Sequence, residues 1–286
     1  MWLLIIAILA RKMDELPEGC LLVRRSINLS SCRYKATKCY TIPMSTYIRP
    51  RVAVFASGSG STFQAVAGAV ADGLVDFDIV LVISNKADAG VLERVAKLNQ
   101  SPGFDIKTEI INQHLYPGGP QQRGQTLEEV QATLDALQRH KVDHLSLMGC
   151  MRIINTKVIE EWGWRPEYAQ RNPDNRGVYL SRMTNTHPGI LPATTDTYGI
   201  HTQEKVLELG LKETAQTLHV VATGVDEGPV LAENRVKVYA PQHFPPELAD
   251  TPQTLFDRVQ RIEKARLPLD LDYFLKQQYL WRQQHK

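Results

Sequence analysis

An open, doubly wound α/β domain with a mainly parallel sheet is what the sequence predicts for residues 51–286, on three observations. From Arg51 onward, short β-rich apolar runs alternate with stretches of helical periodicity. The first of these runs leads through a glycine-rich turn directly into a helix. The last third changes style, with two strand-like segments that suit an antiparallel C-terminal extension.

RVAVFAS (51–57) is short and apolar and reads as a buried strand. After GSGS, TFQAVAGAVADG (62–73) has helical spacing and ends on Gly73. FDIVLVIS (77–84) is a second buried strand, VLERVAKLN (91–99) a second helix and DIKTEII (105–111) a third strand. LEEVQATLDALQRH (127–140) is the clearest amphipathic helix, with Leu127, Val130, Leu134 and Leu137 on one face. VDHLSLMG (142–149) enters a fourth strand. TLHVVAT (217–223) and NRVKVYA (234–240) flank a Gly-containing segment as a hairpin. Residues 251–267 read as a closing helix, with Thr251 as cap and Pro252 at the first position. Segments 113–125 and 164–182, rich in Pro, Gly, Gln, Asn and Arg, read as surface loops or insertions.

Residues 1–50 are set apart as an N-terminal extension. The formal net charge of +2 hides a split: nine of the 33 Lys/Arg but three of the 31 acids lie in 1–51, leaving 24 basic against 28 acidic residues beyond. A mildly acidic body lacks the polycationic face that tracks a nucleic-acid backbone. The opening MWLLIIAILA is too short to span a bilayer, and without a leading positive charge or a small-residue cleavage site it reads poorly as a secretory signal. A disordered or transit-like extension and an over-extended start, with translation from Met44, remain the readings; the last is preferred. Cys150 is the one cysteine of the body, which suits a reducing compartment and a cytoplasmic location, or an organelle if 1–43 is a transit peptide. Histidines occur singly, without H-E-x-x-H or a cysteine pair, so no metal is expected.

In doubly wound sheets, ligands bind outside the carboxyl ends of the strands. At the first such end, SGSGSTFQ combines glycines, hydroxyls and a helix N-terminus, an anion cradle. Phe63 stands where a dinucleotide fingerprint needs its third Gly, and the second strand ends in SNK without the ribose-binding acid. A phosphomonoester fits better. Farther on, NTHPGILPA (185–193) places Asn185 and His187 beside prolines that keep the backbone out of helix and inner strand.

In order, SGSGSTFQA, SNKADAGVLERV, MGCMRII, NTHPGILP, HVVATGVDEGPVL and RVQRIEKA resemble the phosphoribosylglycinamide (GAR) formyltransferases over about residues 51–268. The resemblance implies a Rossmann-like formyltransferase fold and the substrates GAR and 10-formyltetrahydrofolate, the latter a cosubstrate. It implies Asn185, His187 and Asp226 as the formyl-transfer residues. Gly60, Ser61 and Thr62 would hold the substrate phosphate, and Gln260 and Glu263 its ribose or phosphate. A pterin pocket is implied around Met151, Arg152 and Ile154, partly through backbone groups. His201 matches a supporting position. His219, in a strand, either orients Asp226 or is a buried, hydrogen-bonded histidine. Thr62 replaces the family's usual Asn, and ATTDTYGI (193–200) is about two residues longer than expected. Arg123 is a candidate for the folate tail. A 10-formyltetrahydrofolate hydrolase, a formyltransferase for another amine and a non-catalytic binding protein are the alternatives.

Overall fold

The computed structural model describes residues 20–22, 41–43, 47–118, 124–170 and 176–285. The opening apolar run and Arg123 lie outside the described residues. Within the front piece, Cys20–Leu22 pairs antiparallel with Thr41–Pro43, apart from the main sheet.

The main sheet has seven strands: β1 (Arg51–Phe55), β2 (Asp78–Ser84), β3 (Lys107–Ile110), β4 (His144–Leu147), β5 (Met183–His187), β6 (Glu213–Val220) and β7 (Val230–Lys237). Their spatial order is β3-β2-β1-β4-β5-β6-β7. The first five run parallel, and β6 and β7 are antiparallel to their neighbours. Central β1 is covered on both faces, which is why RVAVF is a continuous apolar run rather than an alternating one.

Seven helices accompany it among the described residues: α1 (Ser61–Ala71), α2 (Gly90–Leu98), α3 (Leu127–Arg139), α4 (Thr156–Trp162), α5 (Pro166–Gln170), α6 (Ile200–Glu208) and α7 (Pro252–Gln284). Val52, Val54, Phe63, Val66, Val91, Leu267, Leu271 and Phe274 fill one face of the sheet, beneath α1, α2 and α7. Ala53, Phe55, Leu137, Leu145, Ile159, Trp162 and Met183 fill the other, beneath α3 and α4. Successive β1 residues alternate between these clusters, as strand geometry requires. Helix α3 starts with a capping box, Thr126 accepting from the Glu129 amide while Glu129 accepts from that of Thr126.

Several sequence expectations are corrected. Both hairpin strands begin about four residues earlier than read: buried polar Thr214 and Gln216 disguise the start of β6, and the half-buried start of β7 at Val230 shows no alternation. Helix α7 runs through Pro268 to Gln284 rather than stopping at 267. Segment 164–182 is no mere surface loop: it holds α5 and a 3₁₀ turn (Arg176–Leu180), with Val178 and Ser181 buried. Leu127, placed on the apolar face of its helix, is 54% exposed, because it sits at the first position, on the solvent side of the cap.

Candidate active site

Residues two apart on a strand share a face. Asn185 and His187 therefore project to one side of β5, and Thr186 to the other. Across the antiparallel pairing, Asn185 lies opposite His219 of β6, so both histidines and the asparagine share that face. The loop between β6 and β7 then folds back over them. It does so through Asp226 at φ 56°, a left-handed conformation, and Gly228, where a Cβ would lie 1.7 Å from the Val220 carbonyl oxygen.

The Asp226 carboxylate receives three groups. Asn185 Nδ2 donates to Oδ1 at 3.1 Å, His187 Nδ1 lies 3.3 Å from Oδ2 and His219 Nε2 lies 3.4 Å from Oδ1. Both histidine separations are looser than the 2.7–2.9 Å usual for charge-assisted bonds, a slackness common in catalytic sites before substrate arrives. Burial pushes the Asp226 carboxyl up, but the hydrogen bonds and charges of His187 and His219 outweigh it and hold the group well below the usual carboxylate range.

Hydrogen-bond polarity sets the rings. His219 Nδ1 donates to the Val220 carbonyl at 3.0 Å, and its Nε2 faces both Asp226 Oδ1 at 3.4 Å and Asn185 Nδ2 at 3.2 Å: carrying a proton it donates to the carboxylate, and without one it accepts from Asn185. His219 is thus both a satisfied buried histidine and a neighbour that orients Asp226. His187 Nε2 faces Thr194 Oγ1 at 3.0 Å, and Thr194 gives its own proton to the Ile190 carbonyl. Both nitrogens of His187 therefore face acceptors, an environment suited to the imidazolium. Thr194, a partner the sequence did not reveal, lies in the lengthened 193–200 segment.

At the other end of the site, α1 begins at Gly60, with φ 73° and ψ 23°. A Cβ there would sit 2.7 Å from Val91 Cα, so both conformation and space demand glycine. The helix has no side-chain cap and no acid in its first turn, which leaves the amides of Ser61 and Thr62 open to an anion. The Thr62 hydroxyl instead donates to Glu263 Oε2 at 3.2 Å, while Thr186 donates to Oε1 at 2.9 Å. One buried carboxylate of α7 thus joins the anion loop to β5, directly behind Asn185 and His187. Burial raises the Glu263 carboxyl, partly offset by the two threonine bonds and by Lys264. Gln260, one turn earlier, is partly buried and accepts from Lys264 at 3.2 Å.

The segment after β4 alternates outward and inward. Met151 and Ile153 are 49% and 44% exposed, whereas Arg152 and Ile154 are buried. Ile154 packs in the core with Val158 and Trp162, so Ile153, not singled out from the sequence, is the isoleucine side chain that a ligand can reach. The Arg152 guanidinium pairs with Glu129, its Nε lying 3.0 Å from Oε1, which leaves the backbone as that residue's means of contact. Ser57 ties this segment to the anion loop: its amide donates to the Gly149 carbonyl at 3.1 Å, and its hydroxyl accepts from the Met151 amide at 2.7 Å. Burial pushes the neighbouring Cys150 thiol up to about 12, which removes it as a nucleophile at neutral pH.

His201 stands apart from the cluster. It is exposed on α6, paired with Glu204 at 2.9 Å and edge-on to Tyr198. Among the described residues, no group of three or more His, Cys, Asp or Glu side chains is placed to hold a metal ion. No helix of the described residues is long and apolar enough to cross a membrane.

The family profile described as formyl transferase matches residues 50–165 and 178–271. Its interruption falls within segment 164–182. The chain is 31% identical over 237 residues to a trifunctional purine biosynthetic protein adenosine-3 of Drosophila pseudoobscura pseudoobscura, covering 82% of this chain and 14% of that relative. It is 27% identical over 237 residues to a chloroplastic phosphoribosylglycinamide formyltransferase of Arabidopsis thaliana, covering 82% of this chain and 68% of the relative. The crystal structure of a phosphoribosylglycinamide formyltransferase from Bacillus halodurans superimposes with a TM-score of 0.59 at 27% identity, covering 79% of this chain and 95% of that one.

Proposed function

This chain belongs to the formyl transferase family, and we propose that it transfers the formyl group of 10-formyltetrahydrofolate to the amine of GAR, in purine biosynthesis. The observation that carries this reading is the cluster of Asn185, His187 and Asp226, set against an open helix N-terminus across the Glu263 bridge.

In the proposed reaction the substrate phosphate takes the amides of Ser61 and Thr62, with Gly60 allowing close approach and Gln260 and Glu263 contacting the remainder of the acceptor. Exposed Met151 and Ile153 supply apolar surface for the pterin, and the Arg152 backbone its polar contacts. The amine nitrogen attacks the formyl carbon. A C–N bond forms, and the carbonyl π pair moves onto oxygen. Asn185 Nδ2 and a protonated His187 donate to that oxyanion, the arrangement in which a preorganised donor contributes about 2.7–4 kcal/mol. Asp226 keeps His187 charged and, through water, accepts the proton that the attacking nitrogen loses. Collapse of the tetrahedral centre breaks the bond to the folate nitrogen, which leaves with a proton. His219 orients Asp226, and we assign His201 a supporting role at most.

We place the enzyme in the cytoplasm, or in an organelle if residues 1–43 act as a transit peptide; imaging a fluorescent fusion with and without 1–43 separates the two.

Loss of the formyl group from a 10-formylfolate, followed spectrophotometrically with and without GAR, tests the function. Loss that requires GAR supports the transferase. Loss without GAR means a hydrolase, and folate binding with no loss means another amine or a binding protein.

A further inference from the structure

Beneath α7 a chain of buried polar side chains leads from the protein surface to Glu263. Arg266 Nε donates to Asn234 Oδ1 at 3.2 Å. Asn234 Nδ2 donates to Asp270 Oδ2 and to Gln216 Oε1, both at 2.7 Å. Gln216 Nε2 donates to Thr186 Oγ1 at 3.0 Å, and Thr186 donates to Glu263 Oε1 at 2.9 Å. Gln216 is fully buried, and Thr186 and Glu263 nearly so.

The direction of every bond follows from one fact: a guanidinium donates and never accepts. Arg266 therefore requires an oxygen from Asn234, which turns the Asn234 amide nitrogen toward Gln216. Gln216 must answer with its oxygen, which turns its own nitrogen toward Thr186. Thr186 then accepts from Gln216, and its single proton has one remaining destination, Glu263. Reversing any amide along the chain would set N–H against N–H. With Thr62 donating from the opposite side at 3.2 Å, each oxygen of Glu263 is held by one hydroxyl and retains lone-pair capacity for a further donor.

We propose that Gln216 and Thr186 are positioning residues: their polarised chain fixes Glu263 as an oriented acceptor for hydroxyl donors of the phosphorylated amine substrate, and so sets affinity for that substrate without touching it. This rests on Glu263 contacting GAR. Both side chains lie on the face of the sheet opposite Asn185 and His187, so the effect should fall on one substrate alone.

The test is steady-state kinetics with both substrates varied, alongside thermal melts, on Thr186→Val, Thr186→Ser, Gln216→Met, the Thr186→Val/Gln216→Met double variant and Glu263→Gln. Losing the bond to a charged carboxylate should raise KM for GAR by about tenfold in Thr186→Val. KM for 10-formyltetrahydrofolate and kcat should stay within about twofold. Thr186→Ser, which keeps the hydroxyl, should restore KM for GAR. Gln216→Met should raise it as well and add little in the Thr186→Val background, since the two act in series. Gln216→Met lies farther from the carboxylate and carries the same test should Thr186→Val unfold. An unchanged KM for GAR in folded Gln216→Met overturns the relay, as does a fall in kcat and melting temperature with both KM values raised in parallel. If Glu263→Gln itself leaves KM for GAR unchanged, the substrate contact falls, and the relay with it. If Glu263→Gln raises KM while the relay variants do not, the contact stands and only the relay is lost.

Discussion

The Asn185 amide nitrogen faces two partners, Asp226 Oδ1 at 3.1 Å and His219 Nε2 at 3.2 Å. If Asn185 and His187 donate to the oxyanion as proposed, Asn185→Ala and His187→Ala should each lower kcat by about 10²–10³, and His187→Ala should lower the melting temperature as well, because it strands the Asp226 carboxylate. Near-normal turnover in either would exclude that residue from the chemistry. Asp226 makes a separate, thermodynamic prediction. Its carboxyl is held below the usual range, so its contribution to stability is complete above the unfolded value of about 3.9 and is lost as pH falls through the folded one. The stability margin of wild type over Asp226→Asn should therefore be constant from about pH 7 to 5 and shrink below about pH 4 in denaturant titrations. A margin independent of pH would mean that the carboxylate is not held by the histidines. Asn185, His187 and Asp226 were legible in the sequence because their motifs are rare combinations. Thr186 and Thr194 were not, since a threonine carries no signal until the fold gives its hydroxyl a partner.

Elements were legible where apolar residues do the burying: strand β1 on both its faces, helix α3 along one. Helix α7 is not of that kind: beyond Pro268 its buried face includes Asp270, Asp272, Lys276 and Gln278, which a hydrophobic period cannot detect. Several of their partners lie far away in sequence. Lys276 bridges Asp76 at 2.5 Å and Asp272 at 2.7 Å, and Gln278 donates to the Ser181 carbonyl at 2.6 Å. Lys276→Met should cost about 3 kcal/mol, because it strands Asp272 with no cation while Asp76 still reaches solvent. A loss under about 1 kcal/mol in chemical denaturation would show that the extension packs without this pair. Glu263, on the same helix, behaves oppositely to Asp226. With its carboxyl raised by burial, its contribution is full below about pH 4.3 and is lost as pH rises through the folded value. Glu263→Gln should accordingly gain on wild type in melting temperature as pH increases from about 4 toward 8. A gap that narrows over that range would contradict a buried, penalised carboxylate.

The candidate active site lies where the parallel sheet gives way to antiparallel strands, at the carboxyl end of β5. The doubly wound body was readable from sequence because alternating strands and helices admit few topologies. Its starting edge was less so. The domain boundary proposed at Arg51 leaves Tyr47 and Arg49 outside, yet Tyr47 packs edge-on against Tyr279 with ring centroids 5.0 Å apart, and Arg49 pairs with Asp78 at 2.8 Å. Deleting residues 1–43, which spares both, should leave turnover and melting temperature unchanged; an insoluble or inactive product would make the front piece part of the fold.

Ser57 offers a last consequence. Because its hydroxyl holds the Met151 amide while its own amide holds Gly149, the proposed acceptor and donor halves of the site are laced together by two hydrogen bonds. The Met151 amide proton is therefore a reporter placed in one half that senses the other. Occupying the anion loop should slow its exchange with deuterated solvent, even with no folate bound, and Ser57→Ala should release both the proton and that remote response.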